Sequence, residues 1–139
     1  MDPRTISDPA DNIPVVMRPI DLTPGTPDAL RAAQHIAAYD ATLFQGLDAQ
    51  MREASIGTRI EWATVAVEVV VNGGATGVLC ADRDRDDGTK LIVWANTLPT
   101  WAGERLADAA MQYARDAAAE QGGTLATRAT RVVVDYTAV

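Results

Sequence analysis

The sequence predicts an α+β fold in two layers: a mainly antiparallel sheet with two helices on one face, in the order β-α-β-β-β-α-β, behind an extended N-terminal arm. Three observations predict it. Apolar residues recur at helical spacing from Leu30 to Met51, then switch to a period of two through Val65, Val67, Val69 and Val71. Asn72-Gly73-Gly74 follows that run, and Asn-Gly is a strong hairpin signal. A second helical pattern ends at Gly122-Gly123 and leads into a valine-rich run.

The arm, residues 1–26, is set by proline. Six of the seven prolines lie at positions 3, 9, 14, 19, 24 and 27, and no helix runs through that spacing. Residues 13–20, IPVVMRPI, form its one extended apolar segment. Prolines near both ends suit an edge strand, where a missing donor costs least. Residues 1–12 read as a tether, and residues 23–27 as a stiff entry into the first helix.

The remaining chain, residues 27–139, reads as one domain. Thr26 is placed to cap a helix, with Pro27 at its first position and Asp28 in its first turn. Leu30, Ala33, Ala37, Phe44, Leu47 and Met51 form the stripe, widened by Ile36 and Leu43. Gly46 weakens the middle of this single helix, and Gly57 is its expected stop. A strand is expected from Thr58, with a bulge near Ala63 and Thr64 to turn Ile60 and Trp62 inward. Strands over residues 75–81 and 90–95 complete a meander around the polar tip at residues 82–88. Thr100 is placed to cap a helix over residues 101–121, with Leu106, Ala109, Ala110, Tyr113 and Ala117 on its buried face. The last strand, residues 124–136, has apolar residues on both parities, which predicts an inner strand.

Composition narrows function by exclusion. The net charge is −7, with one lysine, Lys90, and scattered arginines. Nucleic-acid backbones demand clustered cations, so nucleic acid is not an expected partner. The longest apolar run is broken by Glu68 and is far too short to span a bilayer, so no membrane partner is expected. Cys80 is the only cysteine, which leaves no internal disulfide and no thiolate cluster, and its apolar flanks place it in the core. No cofactor is expected. The expected location is cytoplasmic, or assembly in the cytoplasm into a particle.

Each residue able to carry chemistry has a plainer structural role beside it. The catalytic candidates are His35, Asp40, Glu61 and Asp135, from which a lone histidine and a carboxylate could share acid–base work. Asp82, Asp84 and Asp86 alternate as calcium ligands do. The loop, however, lacks glycine at its sixth position and glutamate at its twelfth, and Arg83 and Arg85 offset its charge. The glycines at 73, 74 and 77 precede a strand rather than a helix, which excludes a phosphate loop. Trp62, Trp94 and Trp101 could line a pocket or an interface, with core packing the default; the closeness of Trp94 and Trp101 in sequence points to one corner of the molecule, and an exposed tryptophan there would be a contact hot spot.

The function expected is therefore a non-catalytic assembly subunit that binds copies of itself or a neighbouring protein. Ile13, Val15, Val16, Met17 and Ile20 of the arm are the expected contacts, by strand addition at a sheet edge. Small neck and tail subunits of tailed bacteriophages have this size and two-layer style, an analogy of fold alone. The alternative is a small-molecule-binding protein, or a cofactor-free lyase or isomerase, with a pocket holding at least two of the catalytic candidates. A third reading is an inhibitory protein that acts through a contiguous acidic surface.

Overall fold

The computed structural model describes residues 1–7, 14–41, 43–71, 74–97 and 104–127. They form β1 (Arg4–Ser7), β2 (Pro14–Pro19), α1 (Pro27–Tyr39), α2 (Ala49–Glu61), β3 (Val65–Val71), β4 (Gly74–Arg83), β5 (Lys90–Asn96), α3 (Glu104–Glu120) and β6 (Thr124–Thr127). The strands build one mixed sheet in sequence order, β1 to β6. The first five pair antiparallel, and β6 runs parallel to β5 after the α3 crossover.

The α+β class and the β3–β5 meander are as the sequence predicts, but the layering differs. Side chains alternate along each strand, and here both faces are apolar. Val65, Val67, Val69, Leu79, Leu91 and Val93 face α3 through Ala110, Tyr113, Ala114 and Ala118. Ala66, Val78, Cys80, Trp94 and Ala95 face Ala32, Ala33 and Ile36 of α1 and Ile56 and Ile60 of α2. Helices thus cover both faces. The apolar residues on both parities of β3, broken only by Glu68, are the signature of a strand buried on both sides.

The expected single first helix is two. The chain leaves α1 at Asp40, and the link to α2 includes Phe44 (φ 54°) and Gly46 (φ 89°), conformations that end any helix. Asp48 then caps α2, its side chain accepting the Met51 amide at 2.9 Å. Arg52 of α2 reaches back and donates to the carbonyls of Ala37, Asp40 and Leu43, the last at 2.8 Å. Those acceptors at the end of α1 are thereby satisfied. Gly57 lies inside α2 instead of stopping it, and Ile60 turns inward by helical period, without the expected bulge, whereas Trp62, expected inward as well, follows the last turn of α2 and faces out.

The bulges fall elsewhere. Pairing passes from Cys80 opposite Ala95 to Ala81 opposite Val93, which leaves Trp94 as the extra residue. Trp94 and Ala95 can then both reach the α1–α2 side. At the far end, α3 closes on Gly122 (φ 76°), and the Gly123 amide bonds the Ala118 carbonyl at 3.0 Å. A Cβ on Gly123 would stand 2.9 Å from Leu91 Cγ, so only glycine fits there. The strand β6 borders β5 alone among the described residues, at the end of the sheet, so it is not the inner strand expected. Residues 128–136 of that expected strand, and Thr100 and Trp101, lie outside the described residues.

The arm is part of the sheet. Strand β2 pairs with β3, Met17 opposite Val69 and Arg18 opposite Glu68, and β1 pairs with β2. The start of the chain is held by its own α3. The Met1 ammonium lies 3.5 Å from Glu120, Arg4 pairs with Asp116 at 2.9 Å, and the Tyr113 hydroxyl donates to the Asp2 carbonyl at 3.0 Å.

One polar cluster crosses these elements. Glu68 on β3 is fully buried. Its Oε1 accepts from Arg18 Nε (2.9 Å) and Arg31 Nη2 (2.9 Å), and its Oε2 from Arg31 Nε (3.1 Å). Asp28 Oδ1 accepts from Nη2 of both arginines, at 2.8 and 2.9 Å. Burial alone would push the Asp28 carboxyl up. Hydrogen bonds from Arg18, the Asp21 amide and Arg31 outweigh it and hold the carboxyl at about 2, below its usual 3.8.

Removing Glu68 leaves two guanidinium groups facing a sheet without their acceptor. Glu68→Ala is expected to lower the unfolding free energy by about 3 kcal/mol, read by urea denaturation. A loss within the scatter of surface substitutions would show that the cluster is incidental. Because the folded carboxyl titrates lower than the unfolded one, the Asp28 contribution is complete above about pH 4 and lost as the pH falls through 2. Asp28→Asn should flatten that part of the acid-stability profile, and an unchanged profile would contradict the assignment.

Candidate functional site

The expected arm contacts are mostly spent inside the chain. The β2–β3 register turns Val15 and Met17 onto the α3 face, and Ile20 packs under α1; all three are buried. They offer no anchor to a neighbour while the fold is intact. Val16 is half-buried, and Ile13 lies outside the described residues. What the arm does present is the outer side of β1, which no described strand covers.

Neither described groove brings together two of the catalytic candidates that are described, His35, Asp40 and Glu61. His35 sits on α1 with its ring 4.8 Å from Tyr39. Burial lowers its pKa from the usual 6.5, and the Glu68 charge opposes this only in part. Asp40 is buried at the end of α1, where its amide donates to the Ile36 carbonyl at 2.8 Å. Glu61 is exposed at the end of α2 and borders a shallow groove of about 640 Å³ between α1 and α2, floored by Ala29, Ala33 and Gly57. Asp135 lies outside the described residues. Neither of the two described grooves is lined by more than one of these four.

The metal candidates are turned to other tasks. The Asp84 carboxylate accepts the Asp86 amide at 2.9 Å, and Asp87 accepts the Thr89 amide at 3.0 Å. Arg83 donates to the carbonyls of Gly88 (2.7 Å) and Gln121, pinning the hairpin tip to the end of α3. Among the described residues no three histidine, cysteine or carboxylate side chains converge as a cation would require. Cys80 is fully buried against the helices, as its neighbours in sequence predict.

The site the structure does build lies at the tryptophan corner. Trp62 caps the C-terminus of α2 and is 79% exposed, the most exposed of the large apolar side chains described. One turn back, Arg59 reaches over Trp94, its guanidinium carbon 4.6 Å from the ring centroid. Arg59 Nη2 also lies 3.6 Å from Asp82 Oδ2, a long ion pair. These residues line an open groove of about 790 Å³ with Leu43, Ile92 and the tip residues Asp84, Arg85 and Asp86. Its base is Trp94, only 4% exposed, whose indole N–H has no acceptor of good geometry. Asp82 Oδ1 is likewise shielded and lacks a donor. Burial pushes the Asp82 carboxyl up, and the Arg59 charge, the nearby Trp94 indole and the Thr64 amide oppose this without cancelling it.

Sequence reasoning set Trp94 beside Trp101, which lies outside the described residues, expected Trp62 to turn inward, and missed Arg59, which stands between Trp62 and Trp94. The signal was there: with residues 49–61 read as helix, Arg59 falls on the last turn beside Trp62. Comparison with models of known protein families and with curated protein sequences finds no match to this chain. The groove itself therefore carries the functional reading.

With a lowered pKa, His35 is neutral at pH 7. As the only histidine it gives one imidazole resonance. Its NMR titration is expected to show a midpoint below 6.5, and a midpoint at or above that value would mean that the ring is not desolvated.

Proposed function

We propose that the protein is a non-catalytic assembly subunit that binds copies of itself, or a neighbouring protein, through the Trp62 corner and the adjoining groove. The exposure of Trp62 carries this reading. A tryptophan held at a helix end, beside a stacked arginine and a concave surface, has the make-up of an interface hot spot. The free side of β1 is a second contact of the kind expected from the sequence, by strand addition. Of the candidates for acid–base work that are described, His35, Asp40 and Glu61, no two line one described groove. A place in the neck or tail of a bacteriophage particle is one form of it and rests on chain size alone.

The small-molecule reading needs a pocket that gathers at least two of His35, Asp40, Glu61 and Asp135, and neither described groove provides one. The inhibitory reading needs a contiguous acidic face, whereas the aspartates of the tip alternate with Arg83 and Arg85.

Deletion of the arm is a poor test, because β1 and β2 belong to the sheet. Trp62→Ala is the better one, since the side chain supports nothing beneath it. Light scattering behind size exclusion is expected to show an oligomer for the parent chain. The variant should dissociate at a concentration about tenfold higher or more, with its thermal melt unchanged. A parent chain that is monomeric at high micromolar concentration would end the self-assembly form. An oligomer indifferent to Trp62→Ala would move the interface elsewhere.

A further inference from the structure

The groove between α1 and α2 holds a glycine that the fold itself does not require. Gly57 lies inside α2, and its backbone is helical rather than left-handed. Glycine costs a helix interior more than any residue but proline. At Gly123 a Cβ would collide with Leu91 at 2.9 Å, but at Gly57 it would meet only Ala33 Cβ at 3.8 Å, an ordinary contact. Alanine would therefore fit the free chain and favour its helix. What the missing methyl leaves is depth. Gly57 and Ala33 floor the groove, so a second backbone can come close there. The walls suit a helix. Positions 50, 54, 57 and 61 of α2 and 26, 30 and 33 of the α1 side recur at helical spacing, the pattern into which the ridges of a third helix pack. Leu30 stands at the margin, 56% exposed.

Charge selects the occupant. Glu53 and Glu61 line the groove four residues to either side of Gly57, about 12 Å apart along the helix axis. Neither has an ion-pair partner among the described residues. No arginine, lysine or histidine lines this groove, whereas the tryptophan groove sets three arginines against three aspartates. A second copy fits poorly, because two-fold pairing of this face would bring the same glutamates together. We infer that the α1–α2 groove receives a helix of another protein, with small apolar residues along the ridge that meets Gly57 and two basic residues about two turns apart that meet Glu53 and Glu61. The inference goes beyond the Trp62 corner and does not depend on it.

The test uses the full chain and an alanine-rich peptide of about 20 residues, long enough to be helical in water. Lysines occupy two of its positions seven apart, and a control peptide has glutamate at both. The Gly57 amide resonance is followed by NMR as each is added at constant ionic strength. The lysine peptide is expected to shift it saturably, and the glutamate peptide to leave it unmoved. The double variant Glu53→Gln, Glu61→Gln should weaken the lysine peptide about tenfold. Gly57→Ala should raise the melting temperature of the free chain by a few degrees and yet weaken the peptide several-fold. Equal shifts from the two peptides, no saturable shift, or a Gly57→Ala variant that binds as the parent does would each overturn the inference. So would a lowered melting temperature for Gly57→Ala, which would show that the fold itself needs the glycine. An oligomer that Gly57→Ala dissolves, in a protein indifferent to the lysine peptide, would assign the groove to a second copy instead. Trp62→Ala should bind the lysine peptide as the parent does, so loss of this groove and loss of the Trp62 interface are read separately.

Discussion

The placement of Glu68 between Arg18 and Arg31 is the constraint on which the architecture turns. A carboxylate fully removed from water costs several kcal/mol unless it is paired and its lone pairs are filled. Here the partners come from β2 and α1, which flank β3 in space but lie 50 and 37 residues away in sequence. Only one register of β2 on β3 sets Arg18 opposite Glu68, and a slip of one residue would send the arginine to the α3 face. Only one orientation of α1 brings Arg31 and Asp28 to the same carboxylate. The cluster therefore specifies geometry more than it adds stability. Apolar burial on both faces of the sheet supplies the driving force.

The groove inherits its shape from that frame. With α1 fixed on the sheet, Arg52 of α2 satisfies the last carbonyls of α1 and sets the pitch of the helical hairpin. The end of α2 then falls over the β4–β5 edge, where the bulge at Trp94 turns the indole toward it. Trp62 and Arg59 are thus carried on a capped helix end, and Trp94 on a strand.

How much of this was legible in the sequence depends on the range of the forces involved. Local signals were readable: the Thr26 cap with Pro27, the period of two in β3, the glycine stop of α3. The break between α1 and α2 was not, because Leu43, Phe44 and Leu47 continue the apolar spacing while the backbone at Phe44 and Gly46 takes positive φ. The second helical layer was hidden because alanine stripes on α1 and α3 look alike, and which face each covers is settled by chain direction after pairing. Glu68 read as an interruption in an apolar run; its partners are visible only once β2 has docked. Trp62 read as turning inward from a strand begun at Thr58; its exposure depends on α2 running on to Glu61.

The two shielded carboxylates, Glu68 and Asp82, show how one sheet compensates buried charge in two ways. Both sit on strands of one sheet, and both face helices that carry arginines. Around Glu68 the chain supplies two guanidinium groups and a second carboxylate, so the charges are balanced within the cluster. Around Asp82 it supplies one arginine at long range, an indole donor that falls short of a bond, and an open approach walled by an exposed aromatic ring.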